Sequence, residues 1–337
     1  MLKSDTENPS APSRPSIVVT RKLAPQVETR MAELFDASFN SDDLAMSSEE
    51  IVAAAQNCDV LVPTVTDNID AALIQAAGTR LKLIASFGAG VDHIDLKAAR
   101  ARNITVTNTP GVFTDDTADM TMALILSVPR RLAEGEKLVR SGEWAGWRPS
   151  GMLGHRIGGK RLGIIGMGRI GQAVAHRARG FGLEVSYHNR RRLPESFEKM
   201  LGAHYEADVD TLVAQADILS LHCPYNSQSH HLLNAARIAS MKPDAYVINT
   251  SRGEIIEEPA LIDALEKGRI GGAGLDVYAN EPAVDPRLLD LKNTVLLPHL
   301  GSATFEGRRE AGEKVIANIQ IWSDGHRPPN QVLEGWL

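Results

Sequence analysis

Three short motifs hold side chains of the kinds that move protons and bind anions. Arg252 stands in NTSRGE (residues 249–254), Glu281 in LDVYANEP (275–282) and His299 in LLPHLGSAT (296–304). Each motif follows an apolar run that reads as a strand. All three residues therefore fall near the carboxyl ends of parallel strands, the edge at which open α/β sheets bind ligands. An arginine there can hold a carboxylate and polarise the neighbouring carbonyl. A histidine can deliver or remove a proton, and a carboxylate beside it can orient the imidazole and favour its charged form. Together the three predict a hydride-transfer site. Taken singly each has a plainer reading: a helix-start ion pair for Arg252, a turn residue before Pro282 for Glu281, a hydrogen-bonded core histidine for His299.

A second motif predicts where a dinucleotide would lie. Gly166, Met167, Gly168, Arg169, Ile170 and Gly171 satisfy G-x-G-x-x-G, with the apolar run LGII before it and the helical stretch QAVAHRAR after it. Glycines in that setting let backbone N–H groups at a helix start approach a pyrophosphate. An acid about 20 residues further on would accept hydrogen bonds from a ribose 2'-hydroxyl. The chain has Asn189 there, followed by Arg190, Arg191 and Arg192. A carboxylate would repel a 2'-phosphate, whereas an amide next to guanidinium groups can bind one. NADP(H) is the expected cofactor, with NAD(H) as the second candidate. A solvated basic turn is the plainer reading, for Arg192 in particular.

The elements that must position these residues read as two alternating series. Strands are expected at 17–20, 59–65, 81–87 and 104–110, with helices at 25–36, 69–78 and 94–103. A long helix is expected from about Asp115 to Trp144, opened by acidic residues that suit a helix N-terminus. A second series has strands at 161–168, 184–189, 217–224, 245–251, 271–278 and 293–299, with helices at 170–182, 234–240 and 258–270 and a final helix from Phe305 to Ser323. Such alternation predicts an α/β chain of two doubly wound parallel-sheet, Rossmann-like domains, the cofactor domain inserted into the substrate domain. The expected division is a disordered tail at 1–16, a substrate-binding domain of 17–112 with 300–337, and a dinucleotide-binding domain of 113–299.

Composition excludes other classes. Lys and Arg number 36 against 42 Asp and Glu, so no general basic field exists to hold nucleic acid or an anionic membrane. No apolar run has the length of a membrane helix, and the opening residues MLKSDTENPSAPSRPS carry no apolar leader segment, which predicts a cytoplasmic protein. Cys58 and Cys223 have no partner spacing, and the histidines, His230 and His231 included, form no metal motif. No metal is expected.

These motifs together resemble the D-isomer-specific 2-hydroxyacid dehydrogenases, from about Ile17 to Gly325. The resemblance implies that Ser86, Phe87, Gly88, Ala89 and Gly90 form a substrate loop running to Val91, whose backbone amides bind the substrate carboxylate. Phe87 leaves the pocket volume open. The resemblance further implies that Thr117 lies near the nicotinamide and that His222, Cys223, Pro224, Thr250, Ser251, Asp276, Gly301 and Ser302 line the cofactor cleft. Tight turns for the glycines and helix capping for Thr117 are the plainer readings. Formate dehydrogenases share the fold but place a glutamine where Glu281 stands. Within the family, YHNRRR, PHLGSAT and Trp144-Ala-Gly-Trp147 resemble the glyoxylate and hydroxypyruvate reductase branch. That branch implies a homodimer in which Trp147 reaches towards the partner's substrate pocket, or packs in the interface without touching substrate; the apolar face of Met122 to Val128 would join the two copies. The expected activity is NADPH-preferring reduction of small 2-oxo acids, with His299 as general acid. An NAD-linked D-lactate or phosphoglycerate dehydrogenase and a dinucleotide-sensing co-regulator are the alternatives.

Overall fold

The computed structural model describes residues 14–333. Of the expected tail, residues 1–13 lie outside the described residues, and Ser16 already belongs to the first strand. The chain divides into two compact units, with breaks between Val112 and Phe113 and between Thr304 and Phe305, the second unit being inserted in the first.

The first unit is a five-stranded parallel sheet of β1 (Ser16–Val19), β2 (Asp36–Phe39), β3 (Val60–Val62), β4 (Leu83–Ala85) and β5 (Thr105–Thr107), in the order β2-β1-β3-β4-β5. That is a doubly wound order of the flavodoxin type. Helices α1 (Pro25–Leu34), α2 (Ser48–Asn57), α3 (Ala71–Ala76) and α4 (Leu96–Ala101) connect the strands. Two of these elements, β2 and α2, are absent from the sequence reading. The strand β2 is an edge strand with no fully buried residue, and at four residues its alternation DASF is too short to stand out. The helix α2 is announced instead by a capping box between Ser47 and Glu50.

The second unit opens with α5 (Thr114–Ser127) and α6 (Leu132–Arg140), where the sequence predicts one helix to Trp144. The break has a local cause. Val128 before it is still helical, but Pro129 has no amide hydrogen with which to continue the ladder, and Arg131 turns the chain at φ 55°. Beyond it lie β6 (Arg161–Ile165), α7 (Arg169–Gly180), β7 (Glu184–His188), α8 (Glu195–Leu201), β8 (Ala203–Tyr205), α9 (Val209–Gln215), β9 (Ile218–Leu221), α10 (Ala235–Ser240), β10 (Tyr246–Asn249), α11 (Glu258–Glu266), β11 (Gly272–Leu275), α12 (Pro286–Asp290) and β12 (Thr294–Leu296). The strands form a seven-stranded parallel sheet in the order β12-β11-β10-β9-β6-β7-β8. The direction of winding reverses between β6 and β9, which creates the topological switch point of a Rossmann sheet just where the glycine motif leaves β6. The last helix, α13 (Phe305–Ser323), returns to the first unit.

Met122, Leu124, Ile125 and Val128 on α5 are buried among the second unit's own core residues. The apolar face expected to join two copies is therefore used inside the unit. The exposed apolar side chains lie on α6 and just after it: Leu132, Val139, Trp144, Trp147 and Leu153.

Candidate active site

The glycine motif forms the turn from β6 into α7. Gly166 takes φ +96°, and a Cβ there would stand 2.5 Å from the Cys223 amide nitrogen, because β6 and the end of β9 pass side by side. A Cβ on Gly171 would meet the Gly166 carbonyl oxygen at 2.2 Å, so α7 rests directly on the turn. Gly168 differs from both: a Cβ there would have nothing within 4 Å. It is also the N-cap of α7, and no side chain caps that helix. An open backbone at an uncapped helix start is a cradle for an anionic group, so these residues fit a dinucleotide pyrophosphate. Arg169 and Ile170 open the helix at the same place.

At the end of β7 the next four side chains divide into two pairs of roles. Asn189 turns inward and its Nδ2 donates to the Arg191 carbonyl at 2.8 Å, closing the turn. Arg192 is exposed, as its plainer reading has it, but it is also ion-paired. It forms a two-point ion pair with Glu198 (Nε to Oε1 2.9 Å, Nη2 to Oε2 2.8 Å). Arg190 and Arg191 remain exposed, Arg190 making only a long contact of 3.4 Å with the Gln228 side chain. The residue that follows β7 is thus an amide, Asn189, and not an acid.

Residues past β10, β11 and β12 bring the expected triad together. His299 Nδ1 lies 2.8 Å from Glu281 Oε2, and the other Glu281 oxygen accepts the Tyr278 amide at 3.1 Å. Both side chains are 31% exposed, so the pair is accessible yet partly shielded. Burial acts to raise the Glu281 pKa, but the His299 hydrogen bond and the positive charge of Arg252 outweigh it and hold the carboxyl below its ordinary value. Glu281 is therefore ionised at neutral pH. His299 itself takes a left-handed backbone (φ 55°), a strained conformation for a histidine that persists only when its surroundings impose it.

Those surroundings are visible. Asp276, 1% exposed, accepts the Leu300 amide at 2.6 Å on one oxygen and the Gly301 amide at 2.7 Å on the other, while its carbonyl accepts the His299 amide at 2.9 Å. Burial pushes the Asp276 carboxyl up from its ordinary range. The Thr117 hydroxyl donates to the Gly301 carbonyl at 3.0 Å, and Thr121 continues the chain to the Thr117 carbonyl and the Thr250 hydroxyl. Asp276, Thr117 and Thr250 thus act on the turn that carries His299, a use not apparent from their motifs. Ser302 follows the turn, half-buried. On the β10 side, the Asn249 side chain accepts the Ser251 amide and hydroxyl and donates to the Arg252 carbonyl, fixing the Thr250-Ser251-Arg252 bend.

Gly253 joins the two sides. A Cβ there would fall 1.9 Å from the Tyr278 carbonyl carbon, so the backbone after Arg252 packs against the segment that leads to Glu281. Glu258 on α11 steadies the same segment by accepting the Ala279 amide at 3.0 Å, and the Tyr278 hydroxyl donates to the Leu297 carbonyl at 2.9 Å. Sequence reasoning passed over Gly253, Glu258 and Tyr278. Gly253 and Tyr278 lay within the motifs themselves, whereas nothing in the sequence marks Glu258.

After β9, His222 Nε2 meets the Ser220 hydroxyl at 2.8 Å, and burial pushes its pKa down to about 4, which keeps the ring neutral. Burial pushes the Cys223 thiol up to about 11, so it is not a reactive thiolate. Pro224 is exposed beside it. Among the described residues no group of three or more His, Cys, Asp or Glu side chains is arranged to hold a metal ion, and no helix is long and apolar enough to cross a membrane.

In the first unit, the loop after β4 differs from expectation in two residues. Ser86 and Phe87 are buried (0% and 4% exposed), and their amides are spent on the Thr107 and Pro63 carbonyls. Neither offers a free amide, and the Phe87 ring packs inward. The loop's donors lie further on. The Gly88 carbonyl accepts the Thr109 amide and the Ala89 carbonyl accepts Asn108 Nδ2. Across a trans peptide the N–H points opposite to the C=O, so the amides of Ala89 and Gly90 face away from those partners. Trp147, in the second unit, stands 81% exposed after α6.

Residues 122–301 match the family described as D-isomer specific 2-hydroxyacid dehydrogenase, NAD binding domain. The chain is 44% identical to a glyoxylate reductase of Thermococcus litoralis, over 95% of this chain and 97% of that one. Among solved structures, it resembles a glyoxylate reductase from Paecilomyes thermophila (33% identity, TM-score 0.85, covering 96% of this chain and 99% of that one). It also resembles an NADPH-dependent glyoxylate/hydroxypyruvate reductase from Sinorhizobium meliloti in complex with NADP and malonate, with 33% identity, TM-score 0.85 and coverage of 96% and 99%. A Rossmann sheet with an open cradle at its switch point, a clamped His299–Glu281 pair and likeness over nearly the full chain lead to one assignment: this protein belongs to the D-isomer specific 2-hydroxyacid dehydrogenase family and is an NAD(P)-dependent oxidoreductase.

Proposed function

We propose that the protein is an NADPH-preferring reductase of small 2-oxo acids, glyoxylate and hydroxypyruvate first. The observation that carries the chemistry is the 2.8 Å contact between His299 Nδ1 and Glu281 beside the Arg252 charge. Because Glu281 occupies Nδ1, the imidazole is left with Nε2 to give its proton to the carbonyl oxygen as that oxygen becomes a hydroxyl. The Arg252 guanidinium pairs with the substrate carboxylate and polarises the carbonyl next to it. The amides of Ala89 and Gly90 are the carboxylate-binding donors of the substrate loop. A reduced nicotinamide, when bound, supplies the hydride that the carbonyl carbon accepts. The glycine cradle at the start of α7 takes the pyrophosphate, and Thr117, His222, Cys223, Pro224, Thr250, Ser251, Asp276, Gly301 and Ser302 shape the remainder of the cofactor site. The relatives named as glyoxylate reductases support the choice of substrates.

Cofactor preference rests on Asn189 and on the two exposed guanidiniums beside it. A charge-assisted hydrogen bond contributes about 1.5 to 3 kcal/mol, so Arg190→Ala is expected to raise the KM for NADPH about ten- to a hundredfold. NADH has no phosphate there and should hardly respond. Initial rates with NADPH and NADH against glyoxylate, hydroxypyruvate and pyruvate, for the wild type and Arg190→Ala, test the whole reading. Equal losses with the two cofactors would reduce the arginines to a solvated turn, and absence of turnover with every 2-oxo acid would overturn the reductase itself.

A homodimer is part of the same reading, formed through the apolar side chains exposed on and after α6 rather than through α5. Trp147 would then be covered by the second copy. Sedimentation is expected to give twice the chain mass for the wild type, and a shift towards monomer for Val139→Asp; a wild type that remains monomeric and fully active rejects the dimer. The cytoplasm is the proposed location.

A further inference from the structure

Of the three exposed arginines, Arg192 is bound to a buried carboxylate. Glu198 on α8 is 6% exposed, yet its carboxylate is charged and receives three hydrogen bonds: two from Arg192 and one from the Tyr187 hydroxyl at 2.6 Å. The Tyr187 oxygen in turn accepts the Leu193 amide at 2.9 Å. Tyr187, 0% exposed, lies on β7, and Leu193 ends the turn, so this one hydroxyl ties the start of the turn to its end. The Arg192 guanidinium stacks over the Tyr205 ring at 5.5 Å, and the Tyr205 hydroxyl reaches the Asn189 carbonyl at 3.4 Å. At the near end, the His188 carbonyl accepts the Gly166 amide of the glycine cradle at 3.0 Å. The turn is therefore fastened at His188, Asn189, Arg191, Arg192 and Leu193; all three arginines are exposed, and Arg192 alone is committed to a carboxylate, which leaves the Arg190 and Arg191 guanidiniums for a ligand.

We propose that Glu198 is a positioning residue for cofactor choice, acting through the Tyr187–Glu198–Arg192 clamp to present Arg190 and Arg191 to a 2'-phosphate. The proposal rests on the NADPH reading above and adds the device that makes it work. Three adjacent guanidiniums repel one another, and a flexible turn would have to be ordered each time a phosphate arrived. Anchoring Arg192 on a buried carboxylate takes one charge out of the cluster and orders the turn in advance, which lowers the cost of binding. NADH leaves that part of the surface untouched and gains nothing from it.

The test is a set of KM and kcat values for NADPH and NADH in wild type, Glu198→Gln, the Arg190→Ala/Arg191→Ala pair and the triple variant. Coupling between neighbouring groups of this kind predicts that Glu198→Gln raises the KM for NADPH about three- to tenfold, with kcat and the NADH values within about twofold of wild type. In the background lacking both arginines, the same change should add nothing to the NADPH loss. An unchanged NADPH-to-NADH ratio in Glu198→Gln, or an equal further loss in the double-arginine background, overturns the proposal while leaving the NADPH reading intact. A wild type that favours NADH overturns both. Tyr187→Phe keeps the ion pair and removes the two hydrogen bonds of the hydroxyl, to Glu198 and from the Leu193 amide, so it applies the same criteria should Glu198→Gln not fold.

Discussion

Replacing His299 by alanine is expected to lower kcat for 2-oxo acid reduction by about 10²- to 10⁴-fold, the contribution of a positioned general acid, while NADPH binding stays close to wild type. The expectation follows from how much of the unit is devoted to one ring. Its backbone sits at φ 55°, its amide is held by the Asp276 carbonyl, and the two residues after it are held by the Asp276 carboxylate. Its Nδ1 is taken by Glu281, whose second oxygen is anchored by the Tyr278 amide. Glu281→Gln tests the partnership separately. A neutral amide cannot place a negative charge beside Nδ1, so kcat is expected to fall while NADPH binding stays close to wild type. Because the Glu281 carboxyl is held below its ordinary value, mainly by His299 against the opposing effect of burial, the contact survives mild acid and weakens only as the pH falls through that lowered value. Full activity of His299→Ala, measured with saturating cofactor, would remove His299 from the chemistry.

Gly253→Ala is expected to cost about 10²-fold in kcat/KM without abolishing cofactor binding, the scale of a displacement of roughly 1 Å at a reacting centre. The added methyl would meet the Tyr278 carbonyl carbon at 1.9 Å and its oxygen at 2.1 Å. Those are backbone atoms, which cannot swing aside as a side-chain end can, so the whole segment from Tyr278 towards Glu281 must shift or the Arg252 bend must open. Either movement separates Arg252, Glu281 and His299. The cradle at Gly166 to Gly171 is built from β6 and α7 and should still bind NADPH. Fluorescence titration with NADPH beside steady-state rates separates the two effects. A variant with wild-type kcat/KM would mean that the contact between the two segments is not needed.

The triad and the glycine cradle were legible because each depends on a local pattern: an apolar strand followed by a short motif whose residue types state their chemistry. The last helix, Phe305–Ser323, was legible for the same reason. What escaped notice depended on partners distant in sequence or on irregular pieces of chain. The edge strand β2 offers only the four-residue alternation DASF, and the helix α2 is marked by its cap. The break between α5 and α6 was marked in the sequence by Pro129, within the stretch expected to be one helix. The ion pair of the exposed Arg192 could not be read because its partner Glu198 belongs to the next helix. Ser86 and Phe87 read as substrate-facing because a motif records which residues occur in a loop, not which of their amides the sheet has already claimed.

Every group that shapes the His299 turn, from Thr117 on α5 to Asp276 and Glu281, belongs to the inserted unit, and the Ala89 and Gly90 amides belong to the unit around it. Inheritance can therefore act on the two separately. If residues 86–91 recognise the acid as proposed, drift in that loop would retune substrate choice while the hydrogen bonds that hold the His299 turn stay untouched, so a lineage could explore new substrates without first dismantling that turn. A laboratory library confined to that loop exploits the same partition, and its variants should differ in substrate choice far more than in the pH dependence of turnover.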